Sequence, residues 1–271
     1  MRDDNQAVTT SRPLDRTQRQ AEIERLVVDH GSVKAADLAE QFAVSVMTIH
    51  RDLDELERRG VLRKSRGGAT AQPSGVFEAS VNYRHNAALA EKQAVAARAA
   101  ELVEPGMAIV LDDSTTVLQM VPHLRDVAPL RIATNFLAAM KELVTLDNVG
   151  LMALGGDYDP QHDAFVGLMC EDAIASIRVD ATFLSTSAIS GPYVFHQEPR
   201  VVSLKQAMLR IASKRYLLLD HTKFGRIALH KLGAVADFDV VFTDSRTPPE
   251  HLAALCEHAR AVEVVEVPDH P

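Results

Sequence analysis

Residues 45–69 read SVMTIHRDLDELERRGVLRKSRGGA. Ser45 can accept an amide proton at a helix start. Ile49, Leu53 and Leu56 then recur at helical spacing, and Gly60 ends the run. The opposite face carries Val46, Met47, Thr48, His50 and Arg51. Five bases follow between Arg58 and Arg66 (Arg58, Arg59, Arg63, Lys64, Arg66), with no acid among them. An ordinary amphipathic helix explains the apolar spacing but has no need of the basic run. A helix entering a DNA major groove explains both. Its N-terminal half needs donors, acceptors and an apolar surface for base edges, and a neighbouring basic segment to lie along phosphates. The residues expected at DNA are therefore Ser45, Met47, Thr48, His50 and Arg51 on the helix and Arg63, Lys64 and Arg66 behind it.

The flanking sequence supports that assignment. Residues 1–15 are polar without an apolar period and are expected to be a disordered tail. QAEIERLVVDHG places Ile23, Leu26 and Val27 at helical spacing before Gly31, and KAADLAEQF gives a second short helix with Leu38 and Phe42. After the tight link Ala43-Val44 comes the helix of the opening stretch, then VLRKS and GGA as a small hairpin. Three helices and a hairpin over 16–70 make a winged helix-turn-helix.

A net charge of −8 over 271 residues argues superficially against DNA. Up to Thr70, however, there are twelve Lys/Arg and twelve Asp/Glu, so the whole acidic excess lies beyond it. Local sign governs docking of a polyanion at one face. The two cysteines, Cys170 and Cys256, are far apart and match no metal spacing, which suggests a reducing compartment. No apolar run reaches membrane-spanning length, and the N-terminus lacks signal-peptide character. A cytoplasmic protein with no membrane partner, no cofactor and no metal site is expected.

Residues 71–86 (AQPSGVFEASVNYRHN) read as a linker, and 87–271 as a second domain. The latter opens on a long helix, AALAEKQAVAARAAELV. Apolar strands follow (MAIVLD, LRIATN, VGLMALGG, VDATFLSTS, RYLLLD, DVVFTD, VEVVEV), separated by helical stretches. That alternation predicts an α/β domain on a mainly parallel sheet. Polar residues gather at strand ends: Asp112, Ser114, Thr115 and Thr116 after the first strand, Thr134-Asn135 after the second, Gly155 and Gly156 after the third. Hydroxyls and amides where a helix begins suit an anion, although helix caps look the same. Gly155 and Gly156 allow close backbone approach, although glycine pairs also make plain turns. Open α/β sheets bind ligands at the carboxyl ends of their strands, so several such loops together favour a site. Lys205, on a helical stretch, and Asp220 and Lys223, after RYLLLD, could add charge to it.

The span Arg19–Ala69, through GSVKAADLAEQFAVSVMTIHRDLDELERRGVLRKSRGGA, resembles the DNA-binding domain of the DeoR family of bacterial transcription regulators. The TI-x-RDL-x-x-L-x-x-x-G core and the closing GGA carry the resemblance. His50 stands where the family usually has arginine, and Arg66 where it usually has histidine. The second domain is similar to the family's sensor domain, a fold related to ribose-5-phosphate isomerase. Asp112-Asp113-Ser114-Thr115-Thr116 matches the pattern DSGTT, and the TN, GG, K-x-AM and D-x-x-KFG pieces match too. The resemblance implies a DNA-binding regulator, by family habit a repressor of a carbohydrate-catabolism operon. It would read an operator as a homodimer or homotetramer and respond to a phosphorylated sugar. Asp113 and Ser114 stand where Ser-Gly is usual, so either Asp113 points away from the ligand or the ligand is less anionic than the family's norm. An isomerase carrying a DNA-binding appendage is the alternative, with Asp112, Asp113, Asp180 and Glu198 as candidate bases, although no pair of them forms a recognisable catalytic motif. A structural DNA-binding protein with an empty pocket is a third reading, disfavoured by the polar loops.

Overall fold

Asp15 starts the first helix. Its carboxylate accepts the Gln18 amide at 2.9 Å, while the Gln18 side chain accepts the Asp15 amide at 3.2 Å, a reciprocal cap that satisfies two orphan donors. The structure, a computed structural model, describes residues 14–268 apart from 72 and 76. The expected tail thus lies outside the described residues up to residue 13. The chain divides into two units, one up to residue 72 and one from residue 73 onward.

The first unit runs α1 (Arg16–His30), β1 (Ser32–Lys34), α2 (Ala35–Gln41), α3 (Val46–Arg58), β2 (Arg63–Ser65) and β3 (Gly68–Thr70). Ser45 caps α3 as expected, accepting the Thr48 amide at 3.1 Å. Ile49, Leu53 and Leu56 are fully buried together with Ile23 of α1. The hairpin strands β2 and β3 pair antiparallel, and β1 adds a third strand on the far side of β3. A Cβ on Gly68 would lie 1.9 Å from the Val33 carbonyl oxygen, which is why the turn ends in GGA and no larger residue fits.

One side chain of this unit has a role that periodicity does not disclose. Asp52, 1% exposed, accepts from Arg19 Nε at 2.6 Å and Gln20 Nε2 at 3.0 Å, tying α3 to α1.

The second unit begins inside the stretch read as linker. Glu78, Ala79 and Ser80 are buried, and Val81–Asn86 form α4. Burial there comes from side-chain bonds to distant residues, which composition does not show. α5 (Leu89–Ala100) follows, then β4 (Ala108–Leu111), the single turn α6 (Thr115–Leu118), β5 (Leu130–Thr134), α7 (Leu137–Leu143) and β6 (Val149–Ala153). A hairpin of β7 (Asp157–Asp159) and β8 (Ala164–Val166) leads to α8 (Leu168–Ala175) and β9 (Val179–Leu184). Next come β10 (Ala188–Ser190), β11 (Tyr193–His196), α9 (Pro199–Ile211), β12 (Ala212–Leu218), β13 (His230–Ala234), β14 (Val240–Asp244), α10 (Pro249–His258) and β15 (Val262–Val265).

The seven stretches expected to be strands are β4, β5, β6, β9, β12, β14 and β15. They form one sheet in the order β15-β14-β12-β9-β4-β5-β6, parallel throughout. Side chains alternate between two cores. Ile109 and Leu111 pack with Val95, Ala96 and Ala99 of α5, while Val110 packs with Leu204 and Met208 of α9. The chain leaves β4 toward β5 and β6, then returns to β9 on the other side. The sheet therefore changes winding direction between β4 and β9, and a crevice opens at their carboxyl ends. Among the described residues no helix is long and apolar enough to cross a membrane.

The Asp52 network generates a prediction. Asp52→Ala leaves the buried Arg19 without its partner and should destabilise the first unit by about 3 kcal/mol. Calorimetry of the full chain would show the transition of this unit moved to lower temperature; an unmoved transition would mean that the pair contributes nothing.

Candidate functional site

On α3 the residues expected at DNA fall on one side. Val46 and Met47 are exposed, the latter 62%, as is Arg51, while Thr48 and His50 are half-buried. Ser45 Oγ lies 2.9 Å from Thr48 Oγ1 and is engaged in the cap. Arg63 and Arg66 stand exposed on the hairpin. Lys64 Nζ rests on Asp54 Oδ1 at 2.5 Å, and its amide donates to Glu57 Oε1 at 2.7 Å, so the wing is pinned to α3 by this residue.

The second unit carries a small polar cavity at the β4/β9 crevice, about 20 Å³, with room for about one water. Of the residues singled out in the sequence, Asp113, Ser114, Thr115, Thr116, Lys205 and Lys223 line it. Asp112 lies beneath them. Its carboxylate accepts from the Ser114 amide at 3.0 Å, the Ser185 amide at 2.8 Å and Lys205 Nζ at 2.5 Å, joining the ends of β4 and β9 to α9. Lys205 also meets Asp113 Oδ1 at 2.9 Å. Ser114 caps the short turn α6 through the Val117 amide, and the amides of Thr115 and Thr116 have no intrahelical acceptor there. Asp220 caps the turn at Thr222 and faces Lys223 Nζ at 3.8 Å.

The other expected residues lie elsewhere. Thr134, fully buried, accepts the Phe136 amide at 3.1 Å, and Asn135 donates to the Phe165 carbonyl at 3.0 Å. A Cβ on Gly156 would lie 2.5 Å from the Val166 carbonyl oxygen, so backbone packing accounts for that glycine, and Gly155 has open space around it. None of these four residues lines the cavity. Glu78, Arg84, Ser185, Thr186, Ser187 and His196 do line it and escaped the sequence reading. The hydroxyl run in VDATFLSTS was the available signal for three of them.

Charge within the site is compensated pair by pair. Burial opposes the ammonium of Lys205, but Asp112 and Asp113 more than offset this and raise it. The two carboxylates share that one cation: burial holds Asp112 above the usual carboxylate range, whereas Lys205 and His162 overcome burial and hold Asp113 below it. Glu78 is buried too, yet the facing charges of His196, Arg84 and Lys223 bring it to about 2. Burial drives His196 down to about 3, so its ring is neutral near pH 7. Its Nδ1 accepts the Glu198 amide at 3.1 Å, which leaves the proton on Nε2.

Comparison with known proteins now bears on these two surfaces. Residues 19–74 match the family model described as the DeoR-like helix-turn-helix domain, and residues 87–245 match the DeoR C terminal sensor domain. The chain belongs to the DeoR family. It is 30% identical over 246 residues to the glycerol-3-phosphate regulon repressor of Escherichia coli (strain K12), covering 90% of this chain and 97% of the relative. It is 28% identical over 232 residues to the L-fucose operon activator of Haemophilus influenzae, covering 85% and 92%. Among solved structures it is similar to ribose 5-phosphate isomerase A from Methanocaldococcus jannaschii, at a TM-score of 0.36 and 16% identity over 49% of this chain and 53% of that one. As in the family, the first unit is a DNA-binding module and the second a sensor.

Beneath the sensor's cavity lies Lys92 of α5, 2% exposed, bonded to the Arg84 carbonyl and to Thr115 Oγ1 at 3.2 Å. Burial, and then the charge of Lys223, bring its pKa down to about 7. Below pH 7 folded and unfolded chains both hold this proton, and the folded state carries the full cost of the buried charge. Between pH 7 and the ordinary lysine range the unfolded chain binds more protons, so stability rises with pH. All four tyrosines lie beyond residue 73, so tyrosine fluorescence follows this unit. From pH 7 to pH 9 the wild type should gain on the order of 2 kcal/mol relative to Lys92→Met. Parallel pH profiles would show that Lys92 does not titrate in this window.

Proposed function

We propose that this protein is a repressor of a carbohydrate-catabolism operon, acting in the cytoplasm as a homodimer or homotetramer, whose operator affinity is set by a phosphorylated sugar in the β4/β9 cavity. The observation that carries this reading is the cavity's lining. Three cations (Arg84, Lys205, Lys223) and six Ser/Thr residues line it. At about 20 Å³ the cavity is far smaller than a monosaccharide needs, so binding one requires its walls to move apart. The amides of Thr115 and Thr116, with Lys223, provide for a phosphate. Asp113 and Glu78 provide acceptors for sugar hydroxyls. The names of the two relatives, a glycerol-3-phosphate regulon repressor and an L-fucose operon activator, are in keeping with such an effector.

The carboxylates favour binding over turnover. Asp112 is saturated by two amides and Lys205, while Asp113 and Glu78 are held below the usual carboxylate range and so accept hydrogen bonds but are poor proton acceptors. A general base works best with a pKa near the operating pH. Regulation then follows from linkage: an effector that binds two conformations unequally shifts the population that holds DNA.

On the DNA side, Met47 would meet a thymine methyl and Arg51 a guanine, with Arg63 and Arg66 on phosphates. Arg51→Ala should reduce operator affinity by about tenfold to a hundredfold at fixed salt while leaving the fold intact. Gel-shift titration against the promoter region of the neighbouring operon measures this, and unchanged affinity would refute it.

Asp113 lines the cavity instead of pointing away, and its charge is partly spent on Lys205. A dianion therefore meets a neutralised lysine. Asp113→Ser frees Lys205 from one of its acids and should tighten sugar phosphates about tenfold relative to the corresponding free sugars. Calorimetry with ribose 5-phosphate against ribose, and glycerol 3-phosphate against glycerol, tests it; a mutant that gains nothing for either phosphate would exclude a repulsive role for Asp113.

A further inference from the structure

The stretch 73–86 joins the DNA-binding unit to the first long helix of the sensor, and its polar ties run to the cavity wall. The Glu78 carboxylate accepts from Ser187 Oγ and faces Arg84 Nε at 3.7 Å and His196 Nε2 at 3.9 Å. Arg84 Nε donates to the Ala79 carbonyl at 3.0 Å, and the Arg84 carbonyl accepts from Thr115 Oγ1 at 3.1 Å and from Lys92. Gln197 Nε2 donates to the Ser74 carbonyl at 3.0 Å, and the Gln161 side chain to the Glu78 carbonyl at 3.1 Å. Ser187, His196 and Thr115 are themselves cavity residues.

Two features set Arg84 apart from an ordinary structural cation. Its separation from Glu78 is beyond hydrogen-bond length, so the pair is not closed. Its Nη2 is buried and has no hydrogen-bond partner. A buried guanidinium nitrogen without an acceptor is costly, and a native fold retains one only where something else supplies the acceptor. Arg84 lines the cavity, so an oxygen of a bound ligand can do so. Glu78 sits on the same wall, ionised and 3% exposed, with its bond from Ser187 leaving further lone pairs.

We propose that Glu78 and Arg84 are effector-contacting residues: Arg84 Nη2 donates to an anionic oxygen of the ligand, Glu78 accepts a ligand hydroxyl, and occupancy thereby acts directly on the segment that carries the DNA-binding unit. This rests on the reading of the cavity as the effector site. The ligand chemistry it implies is a phosphate ester with a free hydroxyl, since one residue requires an anion and its neighbour a donor. The path from ligand to DNA-binding unit is then the connecting chain itself, and no relay through the sheet is required.

The test uses the full chain with two probes, inorganic phosphate and glycerol 3-phosphate, followed by calorimetry and by hydrogen exchange over residues 73–86. Arg84→Gln should weaken both probes by about tenfold or more, the size expected for a charge-assisted bond, while its backbone ties to Thr115 and Lys92 remain. Glu78→Gln should weaken glycerol 3-phosphate but not inorganic phosphate, which has no alcohol hydroxyl to lose. In the wild type both probes should slow exchange over 73–86. Should Arg84→Gln fail to fold, Arg84→Lys keeps the charge and removes the fork, and a loss of about threefold is expected from it. If the probes bind wild type and Arg84 variants equally, or bind without slowing exchange over 73–86, this inference falls and the effector reading stands. If neither probe, nor any sugar phosphate, stabilises the wild type, the effector reading falls with it.

Discussion

The sensor depends on one ammonium group. Lys205 reaches from α9 to the carboxyl ends of β4 and β9, where Asp112 and Asp113 both accept it. Asp112 at the same time takes the Ser185 amide at the end of β9. Three elements separated by up to 93 residues are thereby fixed at the point where the sheet changes winding direction. Such a buried cluster is a weak source of net stability, because desolvating three charges nearly cancels their attraction. Its effect is geometric. Asp112 thereby anchors the turn from Asp113 to Thr116, whose residues line the cavity.

The same economy of charge runs around the rest of the cavity. Lys223 stands 3.8 Å from Asp220, and Arg84 3.7 Å from Glu78. Both contacts are long, unlike those of Lys205. The site is thus divided between a closed cluster that holds its shape and two open pairs, each with a polar atom lacking a partner: Arg84 Nη2 and Asp220 Oδ2. On the proposed reading of the cavity as the effector site, open pairs of this kind have more to gain from a ligand than the closed cluster does.

How much of this was legible in the sequence follows from the range over which each feature is determined. The seven strands of the sheet are apolar runs written locally, and all seven could be read, although the edge strands β6 and β15 are only partly buried. The recognition helix was equally plain, since cap, period and stop fall within sixteen residues. The stretch 71–86 looked like a linker because it has no apolar period, yet Glu78 is buried by a hydroxyl 109 residues away. No local pattern encodes that. Gly155 and Gly156 suggested a ligand loop, but the constraint at Gly156 is a backbone oxygen of β8. A glycine reports that something is close and leaves open whether it is a ligand. The strand β1 was missed for a simpler reason: three residues are too few to alternate.

In the DNA-binding unit an anchored residue and an exposed one stand side by side. Arg51 and Asp52 differ by one helical position, about 100° around α3, so one faces out while the other faces α1. Asp52 accepts from two side chains of α1, and its arginine partner is itself buried, so α3 cannot roll on its axis without breaking them. The wing is fixed to the same helix by Lys64, through Asp54 and Glu57. Outward residues on a surface so fixed carry little side-chain burial of their own: Met47 is mostly exposed. The helix that presents them is oriented within the folded unit. This explains why a motif as short as RDL combines an exposed base, a buried acid and a core leucine: each of the three faces a different medium, and the helix sits in one orientation only when all three are satisfied at once.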